Sequence, residues 1–387
     1  MINKTNFKSK PAVILFNSLL LPPSQTFIRD PAEKLQQFNA YYVGSRRVQG
    51  LELPTERTLV INSGSFKGKI DEQIFKLSGF APQLYRQIQR LNPVLIHAQF
   101  GLSGALMLPW IESLNIPLIV HYRGADATVK PEQSRYISLN HWIYFNRLEA
   151  LKQKTTLFLT VSKFIQKKLL ENGFPPEKIR PHYHGVDINK FCPSPEIQRE
   201  PIVLFVGRLT EKKGGEYLIK AMSQVQTEKP EVKLVIIGDG ELRTKLETLA
   251  AQKLKNYQFL GTQPPETVRN WMNRSRILIL PSITASQGDS EGLPNVVLEA
   301  QAMGLPVVST YHAGIPEAII HGETGFLTPE KDIKGLAEYS LQLLDNLELW
   351  QQFSQRGRTQ VESNFNQDKQ AAVLETIYQS ILDQRNN

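Results

Sequence analysis

Nine short runs of apolar and β-branched residues recur along this chain, and stretches with the apolar spacing of helices lie between them. The runs cover residues 11–16, 94–98, 117–122 and 156–161, then 202–206, 233–237, 257–260, 277–280 and 306–309. A strand that is apolar at consecutive positions is covered on both faces, and strands joined through helices lie parallel. The pattern therefore predicts an α/β chain. It restarts at Ile202, after Phe191-Cys192-Pro193-Ser194-Pro195, whose prolines mark an extended linker. A length of 387 residues also exceeds what one compact core usually holds. Two Rossmann-like domains, 1–195 and 196–368, are expected, with parallel sheets facing each other across a cleft. In such sheets ligands sit beyond the carboxyl ends of the strands.

Charge is divided unevenly between the halves. Residues 1–195 hold 25 Lys and Arg against 13 Asp and Glu, a net of +12, whereas residues 196–387 hold 20 against 24, a net of −4. The first half is expected either to attract polyanions or anionic lipid, or simply to keep the chain soluble. A lone cysteine, Cys192, excludes a disulfide framework and a Cys-based zinc site within the chain, and suits a reducing cytoplasm. The start, Met1-Ile2-Asn3-Lys4-Thr5, leads to no signal-peptide core, and no apolar run is long enough to span a bilayer.

The most informative segment is Gly288-Asp289-Ser290-Glu291-Gly292-Leu293-Pro294-Asn295-Val296-Val297-Leu298-Glu299-Ala300. It follows a strand, and Pro294 stands where a first helical residue is expected. The amides around Gly292, Leu293 and Asn295 then form a helix N-terminus suited to phosphate. Glu291 lies before that helix and Glu299 about five residues inside it, so both carboxylates can face one ligand; read alone, they equally describe a well-capped helix with surface glutamates. A second strand–turn–helix start carries Arg208 and Lys213, a fork of donors and a mobile point charge suited to clamping a diphosphate. Lys212 between them is expected to be solvated. The run Gly238-Asp239-Gly240-Glu241-Leu242-Arg243 begins like a dinucleotide fingerprint, but Arg243 replaces its third glycine, so it reads as an ordinary strand-to-helix turn.

The runs 207–214 and 291–300, together with Gly314-Ile315-Pro316-Glu317, closely resemble the GT-B glycosyltransferases of family 4, nearest to the group making colanic-acid-like exopolysaccharides. Ser24-Gln25-Thr26-Phe27-Ile28, His97-Ala98-Gln99-Phe100-Gly101, Val161-Ser162 and Gly185-Val186-Asp187 extend the resemblance over nearly the whole chain. It implies a GT-B fold, with a final helical segment, 369–387, crossing back to the first domain. It implies retention of anomeric configuration with no metal and no cofactor; no Asp-x-Asp is present. By matching position, Arg208 and Lys213 bind the donor diphosphate, Glu291 contacts the donor sugar, and Glu299 bonds the ribose. The backbone near Gly292, Leu293, Pro294 and Asn295 holds phosphate or sugar. The implied partners are a UDP- or GDP-sugar donor and a saccharide or lipid-linked acceptor; with the lone cysteine and the +12/−4 charge split, the expectation is a cytoplasmic protein, peripheral on the inner face of the membrane.

Two departures from the family stand out. Many relatives carry an active-site His immediately before Gly-x-Asp; here the run is His121-Tyr122-Arg123-Gly124-Ala125-Asp126, so Arg123 takes that place and His121 sits two residues earlier, on the same strand face. Either Arg123 leans towards the diphosphate, or it pairs with Asp126, or it meets an acidic donor sugar. His121 either lines the cleft with it or is a satisfied sheet histidine. The acceptor-side loop Ser24-Gln25-Thr26 lacks the Gly-rich turn of many relatives, and Gln25 replaces a Glu.

Other classes fit less well. A GT-B nucleotide-sugar epimerase needs acid and base carboxylates in a pattern that is missing. A natural-product glycosyltransferase, with a small soluble acceptor, stays open as an alternative. A basic module for nucleic acid is disfavoured, because the basic runs 163–168 and 46–47 lack interleaved aromatic platforms.

Overall fold

The computed structural model describes residues 10–129, 136, 138–194 and 196–386; the Met1–Thr5 start and Pro195 lie outside them. Thirteen strands are present among the described residues: β1 Ala12–Leu20, β2 Asn39–Arg47, β3 Thr58–Asn62, β4 Leu95–Gln99, β5 Leu118–Tyr122, β6 Leu157–Thr160, β7 Ile179–Pro181, β8 Ile202–Val206, β9 Lys233–Ile237, β10 Tyr257–Gly261, β11 Ile277–Leu280, β12 Val307–Thr310 and β13 Gly325–Thr328.

They form two wholly parallel sheets. One runs β3-β2-β1-β4-β5-β6-β7 and the other β10-β9-β8-β11-β12-β13. Each chain path leaves its first strand in one direction and later returns to the other side of it, the doubly wound arrangement. The reversal falls between β1 and β4 in the first sheet and between β8 and β11 in the second. Central strands such as β8 and β11 are apolar at every position, because helices cover both faces.

The chain divides into two compact units. The first runs to Gly185 and resumes at Gln367; the second spans Val186–Asn366. The division therefore falls before the proline-rich linker rather than at residue 195. The reason is local pairing: the Val186 amide donates to the Phe365 carbonyl at 2.8 Å, and the Arg358 guanidinium donates to the carbonyls of Ile188 and Phe191. The helix Gln367–Asn386 supplies Leu374, Ile377, Tyr378 and Ile381 to the core of the first unit, where they join Leu15, Leu35, Phe38 and Leu95. Tyr378 meets Phe38 edge-on, with ring centroids 5.5 Å apart.

Candidate active site

In the second unit the expected cations and carboxylates gather at the carboxyl ends of β8 and β11, where the winding reverses. Arg208 comes just past β8, after Gly207, and is exposed; among the described residues no hydrogen bond or ion pair holds its side chain. A short turn, Glu211–Lys213, comes next and is closed by Gly214 at φ +67°. A Cβ there would lie 1.8 Å from the Pro281 carbonyl oxygen, so only glycine lets this turn press against the loop after β11. That approach sets Lys213 Nζ 2.7 Å from Glu291 Oε1, with the two side chains only 13% and 9% exposed.

Burial pushes the Glu291 carboxyl up, but the Lys213 and Lys212 ammonium groups and the Lys213 hydrogen bond outweigh it and hold the group below the usual carboxylate range. Glu291 is therefore an anion at neutral pH. Ser282 Oγ also approaches its Oε1, at 3.4 Å. Lys212 is not solvated. It is buried and pairs with Asp289 at 3.0 Å, because the same turn tucks both lysines under the 282–291 loop.

Pro294 is the residue before the helix rather than the first one in it. Its ψ of 119° is extended, and the helix runs Asn295–Ala302. Among the described residues the amides of Gly292, Leu293 and Asn295 meet no acceptor. Glu299 is half-buried, five residues into that helix.

Two residues that no local sequence pattern marks, His312 and Glu330, brace this loop. The Glu291 amide donates to His312 Nε2 at 3.1 Å, so His312 Nδ1 carries the proton, which it donates to Glu330 Oε1 at 2.7 Å. Glu330 also accepts from the Thr284 amide and hydroxyl. Burial pushes the Glu330 carboxyl up, but the Thr284 amide and His312 bring it below its ordinary value. A carboxylate, a histidine and a backbone amide thus fix where Glu291 points.

The first unit builds a separate cluster. His97 and Gln99 on β4 and His121 on β5 share one sheet face, Gln99 standing opposite His121 in register, and Arg123 follows at the strand end. Arg123 donates from Nε and Nη2 to Gln99 Oε1 at 3.2 and 2.9 Å, and from Nη2 to His121 Nδ1 at 3.2 Å. Its guanidinium lies 4.7 Å from the centre of the Phe27 ring. Its Nη1 is buried with no partner. Burial lowers its pKa to about 9, so it remains a cation at neutral pH.

The pairing with Asp126 does not occur. Asp126 instead accepts from the amides of Gly101, Arg123 and Gly124, because its short side chain folds back on its own turn. The loop expected on the acceptor side lies near by: Gln25 precedes the helix Thr26–Glu33 and accepts from Asn17 Nδ2 at 2.6 Å, while Ser24 is exposed.

His121 is buried and only half satisfied. Accepting at Nδ1 leaves the proton on Nε2, which meets no partner. His97 stacks on it at 5.6 Å and His182 meets it edge-on at 5.5 Å. Beside these rings is a cavity of about 20 Å³, lined also by Phe27, Arg123 and Tyr378. That is room for a water or a ligand hydroxyl.

The model described as "Glycosyl transferases group 1" matches residues 187–360, and "Glycosyltransferase Family 4" matches residues 35–190. The amylovoran biosynthesis glycosyltransferase AmsK of Erwinia amylovora is 35% identical over 279 residues, covering 70% of this chain and 66% of that protein. The putative colanic acid biosynthesis glycosyltransferase WcaL of Salmonella typhimurium is 35% identical over 296 residues, covering 73% and 70%. The chain thus spans about two thirds of the length of these curated relatives. Among solved structures, Anabaena HepE in complex with UDP and glucose superposes with a TM-score of 0.76 at 18% identity, over 96% of this chain and all of that one. That likeness establishes the two-unit GT-B fold.

Proposed function

Because the chain belongs to the group 1 glycosyltransferases, we propose that it moves a sugar from a UDP- or GDP-sugar donor onto a saccharide or lipid-linked saccharide, as a step in polysaccharide synthesis. The observation that carries this reading is the Lys213–Glu291 pair beside Arg208 and the unpartnered amides of Gly292, Leu293 and Asn295. Breaking a glycosyl–phosphate bond develops negative charge on the leaving diphosphate and positive charge on the sugar. Arg208, Lys213 and the amides answer the first; the Glu291 carboxylate answers the second. No divalent ion is needed for that balance. As the C1–phosphate bond breaks, the acceptor oxygen bonds C1 from the same face and its proton passes to the departing phosphate oxygen, so the configuration is retained. The names of AmsK and WcaL, which refer to exopolysaccharide biosynthesis, and the UDP and glucose held by HepE favour the same substrate classes.

Thermal-shift titration with UDP, GDP, ADP, CDP and dTDP, in EDTA, tests the donor. The base that binds should stabilise the protein by about 2.7 kcal/mol at a hundredfold excess over Kd. No stabilisation by any of them overturns the nucleotide reading, and a strict Mg²⁺ requirement for turnover overturns its metal-free part.

Arg123 is assigned to the first unit's half of the reaction machinery, oriented by Gln99. Arg123→Ala should lower kcat at least tenfold, roughly 1.4 kcal/mol. Arg123→His should keep part of the activity and acquire a pH dependence near neutrality, since histidine titrates near pH 6.5 and arginine does not. Near-normal turnover in Arg123→Ala with none in His121→Ala would move the role to His121.

A further inference from the structure

The helix Phe66–Ser78 is turned inside out relative to an ordinary surface helix. Its inward face carries Gly68, Glu72, Phe75 and Lys76. There the fully buried Glu72 carboxylate is held by Lys76 and Arg46, each at 2.8 Å, and by Asn62 Nδ2 at 2.6 Å. Its outward face carries Phe66, Ile70, Ile74 and Leu77, exposed by 81%, 46%, 42% and 51%. Phe80, just beyond the helix, is 64% exposed. At about 100° per residue the four helical positions form one stripe roughly 80° wide, with Lys67 on one side and Lys69 on the other. A helix that buries an ion pair beside Phe75 on its inner face and sets four hydrocarbon side chains on its outer one is built for an apolar neighbour on the outside.

The charge around the stripe says which neighbour. Arg86 and Arg90 are exposed on the next helix, Pro82–Leu91, and Asp71 is the one carboxylate among residues 66–91 that is not buried in an ion pair. From Gln73 to Ile111 the sequence has no acid at all. An apolar stripe rimmed by cations matches the boundary of an anionic bilayer, where side chains enter the acyl region and lysines meet phosphate headgroups. The platform is also held firmly. Trp110 Nε1 donates to the Gly79 carbonyl at 2.7 Å, and Arg147 donates to that of Leu77 at 2.6 Å.

We propose that the Phe66–Ser78 helix, with Phe80, is the surface by which this protein docks on an anionic membrane, Phe66, Ile70, Ile74 and Leu77 entering the interface and Lys67 and Lys69 engaging the headgroups. The assignment rests on the reading in which the acceptor is presented at a membrane, but it is tested without donor or acceptor. The full chain is sedimented with vesicles of phosphatidylcholine alone, or mixed with phosphatidylglycerol, at low and high salt. Wild type should pellet with the anionic vesicles. Phe66→Ser/Ile70→Ser should lower the partition coefficient at least tenfold at both salt concentrations, with the melting temperature and transfer to a soluble acceptor unchanged. Lys67→Glu/Lys69→Glu should lose about tenfold at low salt and little at high salt. Ile74→Ser/Leu77→Ser, on the same stripe, replaces the first pair if that pair lowers the melting temperature. Apolar variants that pellet like wild type overturn the proposal, as does wild type that stays in the supernatant with both vesicles. If sedimentation velocity finds a wild-type dimer that the apolar variant abolishes, without vesicle binding, the face is a contact between copies and the lipid assignment falls. Failed transfer with intact vesicle binding would strike the enzymatic reading alone.

Discussion

Lys213→Ala is expected to lower the stability of the second unit by about 3 kcal/mol, the lower end of the cost of stranding one partner of a buried ion pair. Glu291 is the stranded group. It is nearly out of water, and without Lys213 the effect of burial is opposed mainly by Lys212. The same variant should lose about 2–4 kcal/mol of transition-state stabilisation, read as kcat/KM for the nucleotide-sugar. Arg208→Ala should show a comparable kinetic loss with no loss of stability, because that side chain is exposed. Lys213→Ala/Glu291→Gln removes the stranded charge. It should regain most of the stability and none of the activity. Urea denaturation and steady-state kinetics on the four proteins separate these outcomes. Wild-type turnover in both single variants would remove the clamp from the mechanism, and wild-type stability in Lys213→Ala would show that the pair is not a buried one in solution.

The first unit should fail in mild acid. Burial, and after it the Arg123 cation, keep His97 and His121 neutral well below their ordinary pKa; His182 is lowered to about 4, chiefly by burial. Other charged or titratable groups around these rings include Arg180, His184 and Tyr378. Above pH 6.5 the rings are neutral in the folded and unfolded chains alike, and stability is unaffected. Below it the unfolded chain takes up protons that the folded one refuses. Each ring then costs about 1.4 kcal/mol per pH unit, and three together roughly 4, until their folded pKa values are reached. Against a typical total of about 5–15 kcal/mol, that brings unfolding within reach near pH 5. Melting temperatures of wild type and His182→Gln, followed from pH 7.5 to 4.5, provide the measurement. The variant should lose about a third of the slope. A wild-type melting temperature that is flat over this range would mean that the rings are hydrated in solution.

How much of this was legible depends on whether the signal is local. Strands β8, β9 and β11 match the sequence reading residue for residue, because each is a short apolar run ended by a turn. β1 continues four residues past the expected Phe16, since its pairing with β2 extends to Leu20 opposite Arg47. β2 went unread because Gly44-Ser45-Arg46-Arg47 breaks its apolar run. β3, β7 and β13 were missed as short edge strands. Arg208, Lys213 and Glu291 were legible because each lies in a strand-to-helix connection, Arg208 and Lys213 between β8 and the helix Gly215–Glu228, Glu291 between β11 and the helix Asn295–Ala302. The burial of Lys212 was not, for it depends on how closely the Gly214 turn packs on Pro281. His312 and Glu330 left no local pattern, being 18 residues apart. The two-residue spacing of His121 and Arg123 puts them on one strand face in the sequence; the same spacing of His97 and Gln99 on β4 brings them to that face only through the register of β4 with β5. Tyr378, 281 residues from the His97 it bonds, was beyond any local reading.

The helix Gln367–Asn386 also sets an order of assembly. A chain made from its amino end presents residues 10–185 to solvent first, yet their core lacks Leu374, Ile377, Tyr378 and Ile381 until the whole second unit has followed. Residues 186–366 are contiguous and need nothing synthesised later. On the ribosome, therefore, the part made first is finished last. During that interval the faces of β1 and β4 that the last helix covers stand open, and it is there that a chaperone has most to protect.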